Sequence, residues 1–192
     1  RADVARHHVV SGERVRAVEA ELNSYVNDLH ALSAFFRSSE LVTRAEFSEF
    51  AKPLHARHHG LRAFDWVPRV RDDERAHYES HVRGEIPAFR ITELAAHGKL
   101  KPASSRAEYY PIDYIEPVPA GDEAIRGFDL GSHPASSVPL VKARDTGALT
   151  IAGPLPLLVD QIDPSGYLLL LPHYRGATLP GSATARVERF SG

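Results

Sequence analysis

Tyr109-Tyr110-Pro111-Ile112-Asp113-Tyr114-Ile115-Glu116-Pro117 alternates in the period of two that marks a strand with one covered face. After a turn at Gly121, Gly127-Phe128-Asp129-Leu130-Gly131-Ser132 supplies a second short strand. A helix then ends at Asp145-Thr146-Gly147, and Ala148 to Leu158 forms a third apolar segment. Strand, strand, helix and strand in succession describe an α/β (α+β) fold whose sheet has one covered face, a natural wall for a small-molecule pocket. Asp129 is the carboxylate inside the short apolar strand. If Phe128 and Leu130 face the core, Asp129 is solvated; if Asp129 faces a lined cavity, it can anchor ligand N–H groups.

Upstream, Arg1 to Ser38 reads as one long helix, roughly 50 Å at 1.5 Å per residue. Val15, Leu22, Leu29 and Phe36 recur every seven residues, and Val18, Tyr25 and Leu32 fill the positions three residues on, the spacing of a coiled-coil seam. The helix either lies across a domain core or forms a dimer seam or signalling stalk, and both can hold along different parts of it. Thr43-Arg44-Ala45-Glu46 has capping-box spacing. Phe47, Phe50, Ala51, Leu54 and His58 then form one face of a second helix that Gly60 stops.

Leu61 to Val70 is an extended edge in which Pro68 disfavours a central strand. Asp72 to Val82 is a short helix with acids in its first turn, Phe89 to Ile91 a short strand, and Ala95 to Ser105 a hairpin connection. Pro139 places the firm part of the next helix at Pro139 to Ala143. Asp163-Pro164-Ser165-Gly166 is a turn, Tyr167 to Leu171 a strand covered on both faces, and Thr184 to Phe190 a last helix or strand.

Composition excludes several function classes. A net charge of -2 gives no concentrated basic face for nucleic acid, and the absence of cysteine removes disulfides, zinc thiolates and thiol catalysis. The chain begins at Arg1 and has no methionine, so a fragment or processed product is expected, with any membrane segments outside it. His55 and His59 have the spacing of metal ligands but lack a catalytic motif, and a half-solvated helix end accounts for them and for His58. Asp113 and Glu116 fall on opposite faces of a regular strand, unlike a glycosidase pair. No nucleophile motif, phosphate loop or dinucleotide fingerprint is present, so neither catalysis nor a cofactor is expected.

Several blocks together resemble the CHASE domain, the extracytoplasmic sensory module of cytokinin-receptor histidine kinases and of many bacterial histidine kinases and diguanylate cyclases. They are Gly60-Leu61-Arg62-Ala63-Phe64-Asp65-Trp66-Val67-Pro68, Glu108-Tyr109-Tyr110-Pro111-Ile112, Gly127-Phe128-Asp129-Leu130, Ala143-Arg144-Asp145-Thr146-Gly147, Gly153-Pro154-Leu155 and Leu170-Leu171-Pro172-His173-Tyr174. The resemblance implies a long N-terminal helix followed by two PAS-like subdomains, with flanking transmembrane helices in the full receptor.

On that basis residues 1–59 are a stalk and second helix, 60–160 a membrane-distal ligand-binding subdomain, and 161–192 a membrane-proximal subdomain truncated at its end. In the plant members an aspartate matching Asp129 binds the purine, and backbone matching the strand of Leu149, Ile151 and Gly153 contacts it. The resemblance therefore implies a small organic, purine-like ligand on Asp129 and Ile151. Phe128, Tyr114, Ile112 and Leu149 are wall or supporting-core positions, which alternation forbids from all facing one cavity. The Val15-to-Phe36 seam implies a homodimer in the receptor. Asp129→Ala is expected to weaken binding without unfolding the domain.

Overall fold

A computed structural model describes residues 2–95, 99–118, 123–156, 165–176 and 178–192. The expected turns at Gly121 and at Asp163-Pro164 lie outside the described residues, as does the end of the third apolar segment, Leu157-Leu158. Helix α1 runs Ala2–Ser38 and helix α2 Arg44–His55. The capping box forms as the spacing predicts: Thr43 Oγ1 accepts the Glu46 N–H at 3.3 Å and the Glu46 carboxylate accepts the Thr43 N–H at 2.8 Å. Phe47 and Ala51 of α2 are buried against Leu32 of α1 and Phe64, with Phe35 stacked on Phe50 at 4.5 Å and Phe36 on Trp66 at 4.1 Å. Burying Phe47 contributes on the order of 2–3 kcal/mol relative to leaving it in water.

The strands are short. β1 (Phe64–Trp66) pairs antiparallel with β6 (Tyr114–Glu116), β2 (Val70–Arg71) with β5 (Glu108–Tyr109), and β3 (Thr92–Leu94) with β4 (Leu100–Pro102). Between β1 and β2, Pro68 lacks the N–H a ladder needs, and the Tyr110-to-Asp113 segment opposite leaves regular strand geometry. The alternating stretch is therefore two strands rather than one. Residues 127–129 join the ladders, because Phe128 bridges Thr92 in parallel and Asp129 bridges Pro111 antiparallel. Isolated bridges through residues 127–129 thus link three two-stranded sheets, β1–β6, β2–β5 and β3–β4, into one layer.

Alternation sorts the two sides of this sheet. Tyr109, Ile91 and Val70 pack with Val82 of helix α3 (Arg75–Arg83), whereas Tyr110, Ile112 and Phe128 pack with Leu140, Tyr174 and Phe190. Leu140 belongs to helix α4 (Pro134–Thr146), which packs on the hairpin of β7 (Thr150–Pro156) and β8 (Ser165–Leu170) and on helix α5 (Ala183–Arg189). The chain is thus a long N-terminal helix followed by a mixed α/β region with two groups of small antiparallel sheets resembling PAS subdomains. β7 and β8 pair with each other across the 160/161 division expected from sequence.

Several boundaries differ from expectation. Helix α3 starts at Arg75, because Asp73 pairs with Arg71 at 2.6 Å and Glu74 accepts the Arg71 N–H; these acids fix the preceding turn instead of joining the first helical turn. The strand expected at Phe89–Ile91 lies at Thr92–Leu94, where residues 127–129 supply a partner. Helix α4 begins five residues before Pro139, since Pro134 occupies its first turn and His133 Nδ1 accepts the Ala135 N–H. β8 is covered on one face only: Leu168 and Leu170 turn to the core while Tyr167 is 68% exposed. The strand expected at Gly127 to Ser132 gives way after Asp129 to a 3-10 turn at Leu130–Ser132.

Candidate functional site

Asp129 is fully buried and caps that 3-10 turn. Its Oδ1 accepts the Tyr110 N–H at 2.8 Å and the Gly131 N–H at 2.9 Å, and its Oδ2 accepts Arg106 at 3.0 Å. The Gly131 bond is a local cap made where the chain bends at Leu130, whereas the Tyr110 N–H comes from the segment after β5, 19 residues earlier in the chain. Burial pushes the Asp129 carboxyl above its usual value, and the Tyr110 N–H and Arg106 charge oppose that rise.

Arg106 bridges Asp129 and Glu93, and Glu93 also receives Lys101 at 3.0 Å and Ser104 at 2.7 Å. Burial alone would raise Glu93, but hydrogen bonds from Ser104 and Lys101 with the Arg106 charge hold it at about 2. The Arg106 side chain is 26% exposed and Lys101 49%, so solvent reaches the cations of this cluster and not the Asp129 carboxylate behind them.

The other expected ligand positions are spread over three environments. Ile112 and Phe128 are buried in the sheet's α4-facing core, on the opposite side of the strand from Asp129. Tyr114 packs on Phe47 beneath α2, its hydroxyl donating to the Val42 carbonyl at 3.0 Å. Leu149 is half-buried just before β7; Ile151 is 60% exposed and pairs with Leu169. Gly153 is exposed with φ 137° where the β7–β8 register shifts, and a Cβ there would lie 2.8 Å from the Gly166 carbonyl oxygen.

The seam positions divide along α1. Val15 and Val18 are each 57% exposed and Leu22 43%, whereas Tyr25, Leu29 and Phe36 are partly buried and Leu32 is buried. Docking of the second half rests on polar groups as well. Asp28, buried, pairs with His58 Nε2 at 2.6 Å and with Arg57 at 2.5 Å, and the Tyr25 ring meets His58 edge-on at 4.6 Å. The expected half-solvated helix end is therefore corrected for His58, which is buried because α1 supplies it with a carboxylate. His55 Nε2 contacts the Leu61 carbonyl at 2.9 Å. Asp113 binds Arg44 at 2.7 Å and Tyr78 at 2.7 Å, and Glu116 accepts from Ser48, so each is spoken for separately.

Residues 40–192 match the CHASE domain. The chain belongs to the CHASE family. CHASE domains are non-catalytic sensory modules on the extracytoplasmic side of membrane receptors, and this chain is such a domain. No described helix is long and apolar enough to cross a membrane. Among curated proteins the chain is similar to hybrid signal transduction histidine kinase A of Dictyostelium discoideum, 26% identical over 148 residues that cover 76% of this chain and 7% of that protein.

Arg106 and Glu93, the groups that complete the Asp129 cluster of this CHASE domain, were not legible as partners in sequence. Arg106 stands in a polar loop with no periodicity, and its pairing with Asp129 spans 23 residues. His173 was hidden in the same way. Its Nδ1 meets Ser191 Oγ at 2.8 Å, its Nε2 is buried without a hydrogen-bond partner among the described residues, and its ring lies 5.9 Å from Phe36 and 5.5 Å from Trp66. Burial, with the Arg37 charge, lowers its pKa to about 4.

Proposed function

We propose that this CHASE domain senses a small organic, purine-like ligand for a transmembrane histidine kinase or diguanylate cyclase and passes occupancy toward the membrane through α1. The relative's name, a hybrid signal transduction histidine kinase, supports the kinase class. The observation that carries the reading is the division of α1: its second half is locked to the domain, and its first half leaves Val15, Val18 and Leu22 exposed, the stripe this reading gives to a second copy. A shift of the docked half therefore moves the dimer stripe, which is how occupancy becomes a population shift in the receptor. Residues 60–160 are the ligand-binding subdomain in this reading, and 161–192 the membrane-proximal one.

Ligand N–H groups reach Asp129 Oδ2 by replacing Arg106, which stays paired to Glu93. Backbone near Ile151 and Gly153 completes the site, with Phe128, Ile112, Tyr114 and Leu149 as supporting core. The three donors already on Asp129 favour one other reading, a dimerisation module that holds no small molecule. Titration of adenine and N6-alkyl adenines into wild-type protein and Asp129→Asn separates the two. Sensing requires a rise in melting temperature with at least one purine and about a tenfold weaker affinity in the variant. No purine effect, together with no small molecule retained in native mass spectrometry, leaves the dimerisation module.

A further inference from the structure

The last turn of α1 meets the segment after β8 at one histidine. The His173 ring lies 5.9 Å from Phe36 and edge-on to Trp66 at 5.5 Å, and Phe36 stacks on Trp66 at 4.1 Å, so rings from α1, β1 and the C-terminal segment close on one another. The Ser191 hydroxyl donates to the His173 carbonyl at 3.2 Å, which assigns the ring proton to Nδ1, donating to Ser191 Oγ at 2.8 Å. Nε2 is then a bare nitrogen, buried and without a partner among the described residues. His58, which α1 also covers, has Asp28 as its partner at 2.6 Å.

A proton added at Nε2 stands there as a charge with no acceptor, and burying such a charge is costly. Arg37 on α1 repels it. On the C-terminal segment, Gly192 accepts the His173 N–H at 2.7 Å through its main-chain oxygen and carries the terminal carboxyl group. Asp65 on β1 alternates to the face opposite Trp66. Backbone hydrogen bonds tie Ser191 and Gly192 to Arg69 and His173, and the ladder with β6 holds Trp66. The described hydrogen bonds at the end of α1 stay within residues 33–39: Arg37 to Ser33, Ser38 to the Phe35 carbonyl and the Ser39 N–H to the Phe36 carbonyl. Phe36 is therefore the wall that yields.

We infer that His173 is a proton-operated latch: acid on the extracytoplasmic side charges the ring and releases the Phe36 end of α1 from Trp66. Burial and the Arg37 charge keep the docked ring neutral down to about pH 4, whereas a freed ring takes its proton near 6.5. Between pH 7 and pH 5 the released form therefore gains about tenfold over the docked form, after allowing for solvent at the ring's edge. An effect on the receptor's output rests on α1 carrying the signal; the release itself needs neither that nor a purine at Asp129.

Amide hydrogen exchange, followed by NMR and divided by the intrinsic rate at each pH, reads rare openings directly. Protection at Phe35 to Ser38 should fall about tenfold from pH 7 to pH 5 in the wild type. His173→Phe keeps an apolar ring against Phe36 and Trp66, and both it and His173→Gln should change by less than about twofold, so either serves if the other fails to fold. Lengthening the chain by two glycines moves the terminal carboxyl group away and should leave the tenfold fall in place. The inference is overturned by protection that does not fall in the wild type, by a fall that persists in a folded His173 variant, or by one that is lost in the lengthened chain. It is also overturned if the end of α1 is protected as strongly as α4, because exchange then reports unfolding of the whole domain instead of release of one helix end.

Discussion

Replacing Asp129 with alanine tests how much of the sheet region around residues 127–129 hangs on one carboxylate. The change strands the Tyr110 N–H in the core and the Gly131 N–H at a partly buried turn, and an orphaned buried donor costs about 1–3 kcal/mol. Arg106 keeps Glu93 and reaches solvent, so its share is smaller, about 1 kcal/mol or less. The expected total is about 3–5 kcal/mol, enough to consume much of a domain's stability. The sequence alone suggested that this variant would bind weakly and stay folded; the bonds from the Tyr110 and Gly131 N–H groups predict a loss of stability as well.

Asparagine separates the effects. Its carbonyl oxygen can still accept both N–H groups, and removing a charge that burial disfavours offsets part of the lost Arg106 pair. Asp129→Asn should therefore cost only about 1–2 kcal/mol. Urea unfolding followed by circular dichroism measures both, and the alanine variant should move the midpoint down by about 2 M with an unchanged slope. Equal losses in the two variants, or a loss below about 1 kcal/mol in alanine, would refute the claim that Oδ1 holds the backbone turn.

Thr43→Ala removes the capping box of α2 and should lower stability by about 1 kcal/mol, read as a drop in melting temperature; an unchanged value means the cap contributes nothing. His173 is neutral in the folded domain down to about pH 4 but titrates near 6.5 when unfolded, so the unfolded state takes up more protons between those values. Stability is therefore full above pH 6.5 and falls as pH drops toward 4, by about 2 kcal/mol after allowing for solvent screening at its partly exposed edge. Melting curves from pH 7.5 to 4.5 should show a shallower slope for His173→Gln than for wild type, and parallel slopes dismiss His173 as the source. Val15→Glu with Val18→Glu places like charges on the exposed stripe of α1 and should yield a monomer by sedimentation velocity at unchanged melting temperature; persistence of any wild-type dimer excludes that stripe as its seam.

Much of the local architecture was legible in the residues. The heptad spacing from Val15 to Phe36 announced α1, Thr43 and Glu46 announced the start of α2, and Gly147, in a left-handed conformation with φ 76°, closed α4 where Asp145-Thr146-Gly147 said it would. These signals are local: caps, turns and periodicity act through neighbours a few residues away. The two halves of the α1 stripe look alike in sequence, yet one is docked and the other exposed, because among the described residues the apolar packing on α2 and β1 begins at Leu29.

The candidate site was less legible for the same reason. Phe128-Asp129-Leu130 could be written as a strand, but whether its carboxylate sees solvent, a ligand or the protein's own N–H groups depends on Tyr110, Arg106 and Glu93, which approach from separate elements. Sequence alone determined the family, the long N-terminal helix, the cap of α2 and the identity of a carboxylate where charge is costly. Only the tertiary structure decided which donors meet that carboxylate and which apolar stripe stays uncovered, because burial and hydrogen-bond satisfaction arise between segments that the chain brings together only on folding.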